Sequence, residues 1–194
     1  MSRRFNIHAC PLGQLFVAVV LFYVFSTPCK AQNMSLSTNL LDYANFMTLN
    51  AEGSYALDRH WSATAQLRYN PFSYSIGGND VQNKQQAYAA GLRYWPWHVY
   101  SGWWMEAQLQ YQEYNSGGIS SAKTREGDRY GLGAAAGYSH MLRERLNLEF
   151  GIGLWGGWDK YVVYNCPVCG LTEESGEKVF FLPNELIFAI SYVF

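Results

Sequence analysis

Charge is what this chain has least of. Asp, Glu, Lys and Arg together make 15% of its 194 residues, against roughly 25% in an ordinary soluble domain. The 14 basic and 15 acidic side chains nearly cancel. No cationic surplus remains to neutralise phosphates, which excludes a nucleic-acid binder held by its charge. Long apolar runs are missing too. The run Leu15–Phe25 is uncharged and apolar but far short of the roughly 20 residues that a spanning helix needs. Cysteine is scarce: of 4, Cys10 and Cys29 precede residue 32, leaving Cys166 and Cys169. No helical period persists after residue 32. In place of charge there are aromatics, 17% of the chain, and 18 Gly. Such an aromatic load argues against disorder and for an all-β protein with a large aromatic surface.

The N-terminus reads as a targeting segment. Arg3 and Arg4 form a basic start, Leu15–Phe25 an apolar centre, and Cys29-Lys30-Ala31 a cleavage site with small residues at its first and third positions. Residues 1–31 are therefore expected to be a signal peptide, with Gln32 first in a mature domain of residues 32–194. Lipid attachment at Cys29 is the weaker alternative, because Ser26-Thr27-Pro28 is a poor approach to it. Cleavage removes Arg3, Arg4 and Lys30 but no acid, and it carries Cys166 and Cys169 to a compartment where thiols oxidise.

The rest alternates with period two. Leu49, Ala51, Gly53, Tyr55 and Leu57 share one face, with Asn50, Glu52 and Ser54 opposite. Trp61–Tyr69, Trp103–Tyr111, Tyr130–Tyr138 and Leu146–Leu154 repeat the pattern, and less regular runs at about 35–43, 84–95 and 184–194 bring the count to eight. Short connections at 58–60, 96–102 and 141–145 alternate with long ones at 73–83, 115–128 and 159–182; only the first hairpin, near Tyr43–Asn45, breaks the rule by being short. Prolines 71, 96 and 183 are expected near strand ends or turns. This is the layout of an up-and-down outer-membrane barrel. The expected fold is a closed antiparallel eight-stranded transmembrane β-barrel.

Two features set the facing. The polar faces carry Glu52, Arg68, Arg93, Glu106, Glu149 and Glu185, charges that a narrow lumen can pair. Aromatics gather at the strand ends as interfacial belts do: Tyr55, Trp61, Trp95, Trp97, Trp103 and Tyr192 by the short turns, and Tyr69, Phe72, Tyr111, Tyr114, Tyr130 and Trp158 by the long ones. A soluble sandwich or lipocalin-like barrel leaves these Trp-rich rims unexplained. Phe188, Ile190, Tyr192 and Phe194 alternate to the last residue, like the C-terminal signal that outer-membrane barrels present to their insertion machinery.

Chemistry-bearing motifs are few. Cys166-Pro167-Val168-Cys169 resembles half a zinc ribbon, but no second cysteine pair completes a tetrahedral site. A small disulfide or two free thiols bracing a loop is the simpler reading. The histidines after residue 31, His60, His98 and His140, belong to the short-turn end. The long external loops contain Ser but no His to serve as its base, so no catalytic residue, metal ligand or cofactor is assigned. Eight strands also leave no open channel, which excludes a porin.

Several phrases are similar to the outer-membrane barrels of Bacteroidota grouped as the domain-of-unknown-function 3575 family: Ser37-Thr38-Asn39-Leu40-Leu41, Arg68-Tyr69-Asn70-Pro71-Phe72, Leu92-Arg93-Tyr94-Trp95, Tyr114-Asn115-Ser116-Gly117-Gly118-Ile119, Arg129-Tyr130-Gly131-Leu132-Gly133 and Leu146-Asn147-Leu148-Glu149. Their order, with Tyr161, the cysteine pair and the closing strand, spans the mature chain. The resemblance implies an eight-stranded outer-membrane barrel, often encoded near fimbrial or adhesin genes, with no activity to carry over. The expected function is non-enzymatic: loops presented outside the cell in a structural, adhesive or fimbria-linked role. The expected partners are outer-membrane lipid, the barrel-insertion machinery and fimbrial or adhesin proteins. An outer-membrane enzyme acting on lipid is the alternative.

Overall fold

The computed structural model describes residues 32–76, 79–117, 123–164 and 172–194. The signal segment 1–31 and the Cys166–Cys169 pair lie outside them. The described chain runs β1 (Met34–Asn39), α1 (Leu40–Ala44), β2 (Leu49–Ala56), β3 (Trp61–Asn70), β4 (Ser73–Ile76), β5 (Asn79–Tyr94), β6 (Gly102–Gly117), β7 (Thr124–Arg143), β8 (Leu146–Tyr164) and β9 (Thr172–Val193). Strands that are neighbours in sequence pair antiparallel, except that β3 and β4 both pair with β5, and β9 returns to β1, so the sheet closes. Pro71-Phe72 interrupts the third stave, and β4 carries it on against the upper part of β5. The result is a closed eight-stave antiparallel barrel.

Period two fixes its polarity, and the polarity is inverted. Ser35, Ser37, Asn39, Thr64, Arg68, Gln108, Gln110, Asn147, Glu149 and Ser191 are buried, while Leu36, Leu67, Leu92, Leu109, Leu132, Ile152, Leu186 and Ile190 face outward. Leu109 and Leu132 are 66% and 68% exposed, among the most water-accessible apolar side chains of the molecule. Inward glycines let β7 and β8 curl tightly. A Cβ on Gly131 would lie 2.1 Å from the Gly156 carbonyl.

The staves differ in height. β6 to β9 are 16, 20, 19 and 22 residues long, whereas β1 has 6. Much of what the sequence offers as long loops, at 115–128 and 159–182, is therefore strand, forming a wall above one side of the barrel. Hydropathy hides it because neither face of the wall is consistently apolar: runs such as Tyr161-Val162-Val163-Tyr164 lie between charged stretches, and the alternation is lost. The first expected strand, 35–43, stops at Asn39. Asn39 caps α1 by accepting from the Leu41 amide at 3.2 Å, and its side chain also ties the end of β1 to β9. Pro183 lies inside β9, not at its end, where a register shift opposite Gly153/Leu154 removes the need for its missing N–H.

Two aromatics expected in the outer belts are inside. Trp95 is 0% exposed because the connection after β5 folds back into the lumen, where its indole N–H donates to Ser62 Oγ at 3.0 Å. Trp95, Tyr100 and Trp104 form the centre of the apolar cluster that closes this end. Tyr100 holds φ at +66°, a left-handed conformation uncommon outside glycine, and its hydroxyl reaches the Asn33 carbonyl at 3.2 Å. Tyr114, the second, is buried on the inner face of the wall. Trp61, Trp97, Trp103, Tyr69, Tyr130 and Trp158 are exposed outside.

Candidate functional site

The charged residues of the interior form three groups, stacked from the closed end to the open one. At the floor, Arg93 and Glu106 are register partners on β5 and β6. The Arg93 guanidinium reaches Glu106 at 2.6 Å, Glu52 at 2.8 Å and Glu149 at 3.1 Å. It also lies 4.1 Å from the centre of the Trp104 ring, so the aromatic plug forms its base. Thr64 Oγ1 donates to the second oxygen of Glu106.

Higher up, Arg68 contacts Glu185 directly and lies 3.2 Å from Asp42 of α1. Gln66 donates to Glu185 at 3.1 Å. Burial pushes the Asp42 carboxyl up to about 6, against the pull of Arg68. Together these two groups place five carboxyls around two guanidiniums. Carboxyls thus outnumber guanidiniums in these two groups by three. A closed site resolves such an excess by keeping protons on some of the carboxyls and by surrounding others with hydroxyl and amide donors.

The third group was not legible as a site in the sequence. It lies on the inner face of the wall, where three rungs cross β6 to β9: Gln112–Arg129–Asp159–Lys178, then Tyr114–Gly127–Tyr161–Gly176, then Ser116–Arg125–Val163–Glu174. Asp159 is wholly buried. Its Oδ1 accepts from the Tyr114 hydroxyl at 2.8 Å. Its Oδ2 faces three cations at longer range: Arg129 at 3.4 Å, Arg125 at 3.5 Å and Lys178 at 3.8 Å. Aromatic faces seat the guanidiniums, Arg129 4.0 Å over Tyr114 and Arg125 3.9 Å over Tyr161. Gly127 leaves room for these rings. The one sequence signal was Arg125-x-Gly127-x-Arg129, an inward period-two pattern hidden in a segment that reads as a loop.

The terminal strand completes the ring. Ile190 and Tyr192 pair with β1 on one side and β8 on the other, Phe188 packs on Phe150 with ring centres 5.3 Å apart, and the Phe194 amide donates to the Met34 carbonyl at 2.8 Å. His60, His98 and His140 all lie near the closed end, in or beside the short turns. Among the described residues no group of three or more His, Cys, Asp or Glu side chains is arranged to hold a metal ion.

Residues 16–194 match the family described as Protein of unknown function (DUF3575). No curated protein and no solved structure matches the chain.

Proposed function

The chain belongs to the DUF3575 family, and from that premise we propose that it is a small non-enzymatic outer-membrane barrel, exported by residues 1–31 and serving the envelope as a structural, adhesive or fimbria-linked element. The observation that carries the reading is the inverted polarity. An apolar belt containing Leu109, Leu132, Ile152 and Leu186 faces outward around a polar, ion-paired interior. In water that belt is an aggregation liability, whereas in a bilayer it is the lipid-facing surface. Exposed Trp103, Tyr138 and Tyr192 at one level and Tyr69, Tyr130 and Trp158 at another suit the two interfaces.

The plugged floor favours an envelope role over transport. Trp95, Tyr100 and Trp104 fill the lumen at the closed end, leaving the raised wall as the feature that differs most from a minimal barrel. That wall is the natural surface for a protein partner of the adhesin or fimbrial kind, and β9, ending in Phe194, suits recognition by the insertion machinery. The non-enzymatic reading rests on the position of the histidines, far from the open end.

Fractionation of cells expressing the full chain tests the reading. The protein is expected in the outer membrane, with Gln32 at its N-terminus and a gel mobility that shifts on heating. Recovery as a soluble periplasmic protein of unshifted mobility would overturn it.

A further inference from the structure

The inner face of the wall holds more donors than it uses. Asp159 alone cannot satisfy three cations: its Oδ2 meets each of them at 3.4 Å or more, beyond the usual 2.7–2.9 Å of a charge-assisted bond. Arg125 Nε is buried without a hydrogen-bond acceptor, and Arg129 Nε, the atom 3.4 Å from Asp159 Oδ2, is not hydrogen-bonded at that range. Buried donors left over in this way are rare and need a partner. The Trp155 indole N–H is buried and unpaired as well, on a ring packed edge-on against Phe180 at 4.7 Å. Phe180 in turn lies 5.6 Å from the Arg129 guanidinium. Every one of these unmet groups is a donor. Glu174, at the top of the wall, is engaged by the Tyr161 hydroxyl at 2.9 Å and does not quench them.

We propose that this face is a binding site for a water-soluble oxyanion of the phosphate class, held by Arg125, Arg129 and Lys178. Two guanidiniums held over aromatic rings, at 3.9 and 4.0 Å, are pre-positioned donors that lose little entropy on binding. A tetrahedral oxyanion has enough oxygens to accept from both forks and from the ammonium at once, which a second carboxylate does not. Asp159 is the internal stand-in: it holds the cations together and competes with the ligand for them.

The two faces of the wall decide where the ligand comes from. The outer face at the same height carries Glu113, Glu126, Asp128 and Glu177 against one cation, Lys160, which is paired with Glu177 at 3.1 Å; the Tyr111 hydroxyl lies 2.9 Å from Glu113 and 3.0 Å from Asp128. That face repels anionic headgroups, whereas the cations point inward to the mouth. The ligand therefore enters from solution. The inference stands on the mouth alone and does not require that the barrel span a membrane.

Calorimetric titration of the purified folded protein with inorganic phosphate, and separately with glycerol phosphate, tests it at low chloride. Saturable binding is expected for both, with neutral glycerol giving none. The double variant Arg125→Gln, Arg129→Gln should weaken binding at least about tenfold, and Lys178→Gln by a smaller factor. Asp159→Asn should tighten it several-fold, a gain that a merely structural cluster would not show. Asp128→Asn, on the outer face, should leave it unchanged. If the double variant does not fold, Lys178→Gln and Asp159→Asn carry the test by shifting affinity in opposite directions. Absence of saturable binding to the native protein, or binding indifferent to Lys178 and Asp159, overturns the proposal.

Discussion

The floor and the mouth of this barrel are inverse arrangements. At the floor one cation, Arg93, is surrounded by Glu52, Glu106 and Glu149; at the mouth one anion, Asp159, is surrounded by Arg125, Arg129 and Lys178. The floor is tight, with contacts of 2.6–3.1 Å and side chains 3–17% exposed. The mouth is loose, with contacts of 3.4–3.8 Å and cations 20–44% exposed. Carboxyls in excess of the charge that the cation neutralises can be cancelled by protons. A surplus of arginine cannot, because guanidinium does not deprotonate in proteins. The acidic surplus of the floor thus calls for no ligand, whereas the cationic surplus of the mouth leaves capacity for an anion.

The largest test of that contrast is at the floor. Arg93→Gln leaves three buried carboxyls with no counter-charge and should cost on the order of 3–5 kcal/mol, the range for breaking a buried pair from one side. Denaturant unfolding of the refolded barrel measures it. A cost below about 1 kcal/mol would mean that the floor is as forgiving as a surface ion pair, and the comparison would fail.

The seclusion of the floor presupposes an apolar surround. Leu132→Arg, in the middle of the belt, should cost about 2–4 kcal/mol in lipid, while Ser175→Arg, on the outer face of the wall, should cost about 0–1 kcal/mol. Equal costs in the same unfolding assay would show that the belt does not face lipid.

What the sequence made legible follows the same line. The staves with one apolar face, such as Trp103–Tyr111 and Leu146–Leu154, alternate plainly, and so the closed barrel could be read from them. The wall could not. Around Arg125–Arg129 and Asp159–Tyr161 neither face is apolar, and strand and loop then look alike in hydropathy. Trp95 misled for a related reason: indole is equally at home in an interfacial belt and in a core, and only the inward fold of the Pro96–Ser101 connection decides. The six interior charges were visible as residue types on polar faces. Their division into a floor group and an Arg68 group, and the part played by Asp42, depend on register and on α1, which no periodicity announces.

A pH titration sharpens the intermediate level. The Asp42 carboxyl is raised from 3.8 to about 6 by burial. The folded state therefore holds its proton more firmly than the unfolded chain does. Stability from this group is fully present below about pH 4 and is lost as pH rises through 6. With about 1.4 kcal/mol per unit of displacement, the loss approaches 3 kcal/mol at most. Asp42→Asn should flatten that part of the stability profile. A profile between pH 4 and 7 that is the same in both proteins would mean that Arg68 fully offsets the burial of the Asp42 carboxyl.

The smallest effect is expected at Lys178, where the contrast is most exposed to failure. Its ammonium lies 3.8 Å from Asp159 Oδ2, and the side chain is 44% exposed. Water around the half-exposed ammonium weakens the attraction, and a long side chain loses rotamer entropy in holding it, so Lys178 is expected to contribute about 0–1 kcal/mol, as partners in exposed pairs do. Arg125 and Arg129 remain beside the carboxylate when Lys178 is gone. Lys178→Gln should therefore lower unfolding stability by less than about 1 kcal/mol, and the loss should shrink further in high salt. A cost several times larger, unaffected by salt, would make Lys178 a structural member like Arg93. The mouth would then be a second sealed network, with no cation to spare for a ligand.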